Sequence, residues 1–299
     1  MDDRPRWCNT HASGAAGGPS RAGFAGRLRV TGTDWSAPIR RLALIALLAL
    51  LTAPLAPRAA LCLDLEDVGV VFIHGKGVWT GAFDGGLAVA LREAGAKVVT
   101  PEMPWSFSRI YGATYEEALG EIDVAVKSLR DQGASEIVVI GHSMGANAAI
   151  GYAASHGPLA AVVALAPGHL PEVEGLKGRT HEALIEAAQL LAQGKGDVRR
   201  RFPDMVGGIP TWVSATPRVY LSMFDPNGAA VIPKNAAAMP PIPLLWVDGR
   251  FDPIASRGKD YAYTLAAKNP KSRYVMVFAG HLGVPGSART TIISWLKSL

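Results

Sequence analysis

The stretch Gly141-His142-Ser143-Met144-Gly145 constrains this chain more than any other. It reads Gly-x-Ser-x-Gly, follows directly on the apolar run Glu136-Ile137-Val138-Val139-Ile140, and leads into a small-residue helical segment over 146–154. Strand, tight turn and helix in that order demand a sharp reversal with no room for side chains at its flanks, which glycine supplies. Held there, the Ser143 hydroxyl stands clear of its backbone, near the positive end of the following helix. A serine so placed is a candidate nucleophile. The five-residue pattern by itself also fits a plain strand-to-helix connection that uses glycine for packing, so its context has to decide.

That context is an alternation of apolar runs and helical patterns. Residues 68–73 read as a strand ending at His74-Gly75, 87–93 as a helix stopped at Ala94-Gly95, and 97–100 as a short strand ended by Pro101. Over 115–131 the residues Leu119, Ile122, Val126 and Leu129 recur at three- and four-residue spacing, with Glu116, Glu117, Asp123 and Lys127 off that face: an amphipathic helix. Further strands are expected at 136–140, 159–165, 243–247 and 273–278, and a closing helix at 290–299. Strands that are apolar throughout, each followed by a helix, predict a mostly parallel central sheet with helices on both faces. Residues 169–240 break the rhythm with a helix at 180–193, a basic patch at Arg199–Arg201 and a Pro/Gly/Ala-rich stretch. This reads as a lid insertion, or else as an ordinary sheet helix with a long loop. No internal repeat is evident.

The chain of 299 residues is 49% hydrophobic and 18% charged, which gives ample core. Its net charge of +5 suggests an acidic partner until it is located. Residues 1–62 hold eight Arg against three Asp, whereas 63–299 hold 22 basic and 22 acidic residues, so the folded part offers no electrostatic case for nucleic acid. Residues 1–39 are Gly/Ala/Arg/Ser-rich without periodicity and read as a disordered extension, with translation expected to begin downstream, near Val30. Residues 40–62 read as a signal peptide: Arg40-Arg41, ten apolar residues at 42–51, then an Ala/Pro-rich tail. Ten apolar residues are too few to span a bilayer, so export to the periplasm or medium is expected, with a membrane anchor through an uncleaved signal as the alternative. Cleavage after Cys62 would start the mature domain, 63–299, at Leu63. Cys8 and Cys62 are the two cysteines, which leaves the mature domain without a disulfide or a cysteine metal site.

Two later stretches complete the context. Ala279-Gly280-His281-Leu282-Gly283 follows the last strand, where a histidine can act as general base. The run 244–253, Leu-Leu-Trp-Val-Asp-Gly-Arg-Phe-Asp-Pro, is a strand entering a turn, and an acid just beyond it, Asp248 or Asp252, can orient that histidine. The order Ser, Asp, His, together with His74-Gly75 after an early strand and Gly249-x-x-Asp252, resembles the α/β-hydrolase superfamily over 66–299, and within it small secreted bacterial hydrolases.

The resemblance implies an α/β-hydrolase fold with Ser143 as nucleophile, Asp252 as acid and His281 as base; Asp248 is the competing acid. It implies an oxyanion hole from the backbone N–H groups of Met144 and of Lys76, with Gly77 a close second. The Lys76 side chain is expected in solvent, with contact to an anionic substrate as the alternative. Trp79, Trp105, Met205, Trp212, Tyr220, Met223 and Phe224 are candidate walls of an apolar acyl site, each equally placeable in the core. His169, at a strand end after Ala166-Pro167-Gly168, is a candidate substrate contact or a turn residue. The activity implied is that of a serine esterase on a small-molecule ester, of short to medium acyl chain because the lid looks modest, with no metal, nucleotide or organic cofactor. Peptidase, thioesterase or haloperoxidase-like activity are the enzymatic alternatives. A non-catalytic binding protein on the same fold is the alternative of a different class.

Overall fold

The computed structural model describes residues 63–299. The extension, the signal segment and both cysteines lie outside the described residues. Within them, six strands form one sheet: β1 (Val68–Ile73), β2 (Lys97–Val99), β3 (Glu136–His142), β4 (Ala161–Leu165), β7 (Leu244–Gly249) and β8 (Arg273–Val277). Their order is β2-β1-β3-β4-β7-β8 and every pairing is parallel. This is the parallel sheet that the uniformly apolar runs predict: β1, β4 and β7 are buried at every position and β3 at all but its first.

The sheet's two faces follow from the alternation of side chains along each strand. Val71, Ile73, Ile137 and Val139 point to one core, shared with α2 (Tyr115–Asp131) and α3 (Met144–Ser155). Val70, Phe72, Val138 and Ile140 point to the other, shared with α1 (Leu87–Glu93) and the closing helix α7 (Val284–Lys297). The amphipathic pattern of α2 is realised: Leu119, Ile122, Val126 and Leu129 are its buried face, and its start is fixed by a reciprocal cap between Thr114 and Glu117. Gly69 permits α2 to close on β1, since a Cβ there would lie 2.9 Å from that of Leu129. Helix α7 begins at Val284, earlier than expected, with Pro285 in its first turn, where a missing N–H is harmless.

Segment 169–240 leaves the sheet between β4 and β7 and adds no strand to it. It holds α4 (Glu174–Ala192), a separate antiparallel hairpin of β5 (Arg200–Val206) and β6 (Ile209–Ala215), α5 (Pro217–Phe224) and α6 (Ile232–Ala238). Helix α4 starts six residues before the predicted one, and the hairpin is unforeseen: the expected basic patch is the start of β5, and the hairpin turns at Gly207-Gly208, both at positive φ. No helix among the described residues is long and apolar enough to cross a membrane.

Candidate active site

The β3–α3 turn holds Ser143 at φ 55°, ψ −119°, a conformation disfavoured for a residue with a side chain. Its surroundings compel it. A Cβ at Gly141 would lie 2.0 Å from the Gly145 carbonyl oxygen, and one at Gly145 would lie 2.2 Å from that of Ile73. The Ser143 N–H donates to the Leu165 carbonyl at 2.9 Å, and its own carbonyl accepts from Gly168 at 3.1 Å. The elbow is thus locked to the end of β4, where Ala166 and His169 also adopt positive φ.

Three side chains from three strand ends converge here. His281 Nε2 lies 2.9 Å from Ser143 Oγ, and His281 Nδ1 lies 2.6 Å from Asp252 Oδ2. A carboxylate can only accept, so Nδ1 carries the proton and Nε2 is free to accept from the hydroxyl. The other Asp252 oxygen caps the next turn through the Ile254 N–H at 3.0 Å. Asp248 is engaged elsewhere: its Oδ2 accepts from the Trp246 indole at 3.0 Å and the Tyr274 hydroxyl at 2.7 Å, and burial pushes its pKa up. Between the two acids weighed from the sequence, Asp252 is the one against the imidazole.

His142, inside the elbow motif, has a task the sequence did not reveal. Its Nε2 donates to the His281 carbonyl at 3.0 Å, with the two rings 5.1 Å apart. Burial, then the neighbouring His281, pull its pKa down to about 4, so it sits there neutral. It fixes the backbone from which the working imidazole projects.

The loop after β1 closes the other side of the hydroxyl. A Cβ on Gly75 would lie 3.2 Å from that of Ser143. The Gly77 N–H donates to the Trp105 carbonyl at 2.9 Å. It is therefore committed, whereas neither the Lys76 nor the Met144 N–H donates to a loop or side-chain acceptor among the described residues. Of the two candidates for the second anion-binding donor, Lys76 is the available one. His74 anchors the loop: its Nε2 accepts from the Met103 N–H at 3.0 Å and its Nδ1 donates to the Gly75 carbonyl at 2.7 Å.

A family model described as the alpha/beta hydrolase family matches residues 70–289. The chain belongs to the alpha/beta hydrolase family. Solved hydrolases share its fold. A monoacylglycerol lipase of Paleococcus ferrophilus is 21% identical with a TM-score of 0.57, over 77% of this chain and 94% of that one. A thermostable carboxyl esterase of Bacillus coagulans, in complex with glycerol, is 16% identical with a TM-score of 0.56, over 76% and 89%. The siderophore hydrolase EstB of Aspergillus fumigatus is 14% identical with a TM-score of 0.54, over 76% and 88%. At these identities the likeness is one of fold. No curated protein matches the chain.

In this family member Ser143, His281 and Asp252 open onto a cavity of about 400 Å³. Its walls are mainly apolar: Leu170, Val173, Leu176, Met205 and Ile254, with Phe83, Val206 and Leu282 half-exposed at its edge. His169, weighed as a substrate contact or a turn residue, lines it. The two tryptophans require correction. Trp105 is fully buried and is not part of this cavity's wall; its indole N–H donates to the His74 carbonyl at 3.0 Å, bracing the loop. Trp79 is largely exposed and packs edge-on against Phe107, outside the cavity, while its neighbour Val78 supplies the wall. Tyr220, Met223 and Phe224 are the buried face of α5, and Trp212 lies outside the cavity under Arg179 and Arg201. The Lys76 side chain, expected in solvent, is buried instead and pairs with Asp204 of β5 at 2.6 Å. Nothing in the sequence links positions 76 and 204; only the hairpin's placement brings them together. Among the described residues no group of three or more His, Cys, Asp or Glu is disposed to hold a metal ion.

Proposed function

We propose that the protein is an exported serine hydrolase that cleaves carboxylic esters through an acyl-enzyme on Ser143. The observation that carries this reading is the unbroken relay from the Ser143 hydroxyl through His281 to Asp252, opening into an apolar cavity. His281 Nε2 takes the hydroxyl proton as Oγ attacks the ester carbonyl. The Met144 and Lys76 N–H groups receive the oxyanion. The imidazolium, held by Asp252, then gives its proton to the departing alcohol oxygen. A water activated by the same imidazole attacks the acyl-enzyme, and the acid leaves with Ser143 restored. Esterases and lipases among the solved relatives of the same fold support an ester as substrate. The apolar walls favour an acyl group, and a volume of about 400 Å³ suits one of short to medium length. Export rests on Arg40-Arg41 ahead of the apolar run at 42–51.

The test is a series of nitrophenyl esters from acetate to palmitate, with fluorophosphonate labelling of the same protein. We expect label on Ser143, an optimum below the longest chains, and a fall in kcat of roughly 10⁶-fold in Ser143→Ala. A folded protein that takes no label and turns over no ester would remove the reading in favour of a binding role. N-terminal sequencing of the exported protein is expected to start at Leu63.

A further inference from the structure

Resting on the hydrolase reading, we propose that Asp204 is a positioning residue for the oxyanion loop. By gripping the Lys76 side chain against His169, it holds the Lys76 backbone N–H beside Ser143. The hairpin β5–β6 would then belong to the working site without touching the reacting atoms.

The grip is a buried three-way joint. Lys76 Nζ lies 2.6 Å from Asp204 Oδ1 and 3.4 Å from His169 Nδ1, with the Phe224 ring centroid 5.7 Å away. The Lys76 and Asp204 side chains retain 8% and 4% of their exposure. His169 Nε2 faces the Met223 carbonyl at 2.7 Å and must donate to it, which leaves Nδ1 as an acceptor for the ammonium. The ammonium's partners are thus protein groups, so it is poorly placed to greet a substrate anion.

Each jaw is tied to something rigid. The Asp204 carbonyl accepts from Arg179 Nε of α4 at 2.7 Å, and the same guanidinium reaches the Thr211 carbonyl on β6 at 2.8 Å, holding both hairpin strands. The Tyr220 hydroxyl donates to the Pro203 carbonyl at 2.8 Å. On the other side, the His169 carbonyl accepts from Asn147 at 2.8 Å, and Asn147 lies on α3, the helix that starts at the serine. Lys76 is therefore clamped between the hairpin and the nucleophile helix, while Gly75 abuts Ser143 and Gly77 is tied to Trp105.

Stability alone does not account for such a pair. A buried ion pair gains little over apolar residues of the same volume, because desolvation offsets the attraction. What it does provide is a fixed direction for a long, otherwise flexible side chain, and the peptide carrying that side chain holds the available N–H.

The experiment compares the full chain with Asp204→Asn and with the double variant Lys76→Met/Asp204→Leu, which replaces the pair by apolar groups and so separates folding from positioning. Rates are expressed per site counted by end-point fluorophosphonate labelling. In both variants kcat is expected to fall by roughly 10- to 100-fold with KM within about twofold, as for a misplaced oxyanion donor. A stable double variant with wild-type kcat per labelled site would overturn the proposal. A second readout needs no substrate. In Asp204→Asn, amide hydrogen exchange is expected to quicken about tenfold over residues 74–78 while β3 stays protected; unchanged exchange over 74–78 would also overturn it. A wild-type protein that takes no label would instead sink the hydrolase reading, and the exchange measurement would still decide whether Asp204 holds the loop.

Discussion

The elbow at Ser143 and the hairpin β5–β6 both face the same cavity, but they are held in place by different means. The elbow is set by backbone against backbone: two strand ends and a helix approach so closely that Gly141 and Gly145 have no space for a Cβ. The hairpin is held along its strands by side chains reaching across from α4 and α5, and its tip is open; a Cβ on Gly207 or Gly208 would meet nothing within 4 Å. A part fixed by main-chain packing has one geometry or none, whereas a part fixed by polar tethers can be loosened by degrees. The nucleophile sits on the first kind of support, and the wall of the cavity on the second.

The largest effect that tests this contrast is a single methyl group placed in each region. Gly145→Ala puts a Cβ 2.2 Å from the Ile73 carbonyl oxygen, where only backbone can give way, and we expect no soluble folded protein. Gly207→Ala meets only the strain of φ 58°, about 1 kcal/mol, and is expected to fold and to retain activity. Thermal unfolding of the two variants checks both; a well-folded Gly145→Ala would show that the elbow is less rigid than its contacts imply.

Next in size is a comparison of the two acids beyond β7. Asp252→Asn keeps the shape but disfavours the tautomer with a proton on His281 Nδ1, and should lower kcat by about 10⁴-fold. Asp248→Asn leaves a side-chain oxygen for Trp246 and Tyr274 and touches neither His281 nor Ser143, so kcat should stay within about threefold. Equal losses in the two variants would mean that the acid's role is shared.

The same contrast explains which parts were legible in the sequence. The sheet and the elbow could be read because each depends on a local pattern, an apolar run or a Gly-x-Ser-x-Gly turn; an acid and a histidine just past a strand could be picked out in the same way, but the choice of Asp252 over Asp248 came from the family resemblance. Trp105 reads as either cavity wall or core, because an aromatic residue carries no local mark of which side of a loop it packs against. The sequence points Lys76 to solvent, the ordinary site for an ammonium, because its partner Asp204 is 128 residues away, on a hairpin that the pattern of 169–240 does not announce. The carbonyl contact of His142 with His281 was hidden for the same reason: it spans two strand ends 139 residues apart.

The smallest effect separates the two regions by pH. His142 in the elbow and His169 beneath the hairpin are both held neutral, their pKa values pulled by burial from 6.5 to about 4. When the chain unfolds each regains an ordinary value, so between pH 6.5 and 4 the unfolded state binds protons that the folded state refuses, and stability falls as the pH falls. Above that window neither ring contributes. At pH 5 the loss should be about 2 kcal/mol for each ring, seen as a drop in the urea midpoint relative to pH 7. His169→Asn isolates one share. Asparagine tolerates the positive φ at this position, so the variant should fold, somewhat less stable at pH 7 but with a shallower decline toward pH 5. If its decline were as steep as the wild type's, His169 would not be the proton-refusing group on the hairpin side, and the acid sensitivity would belong to the elbow alone.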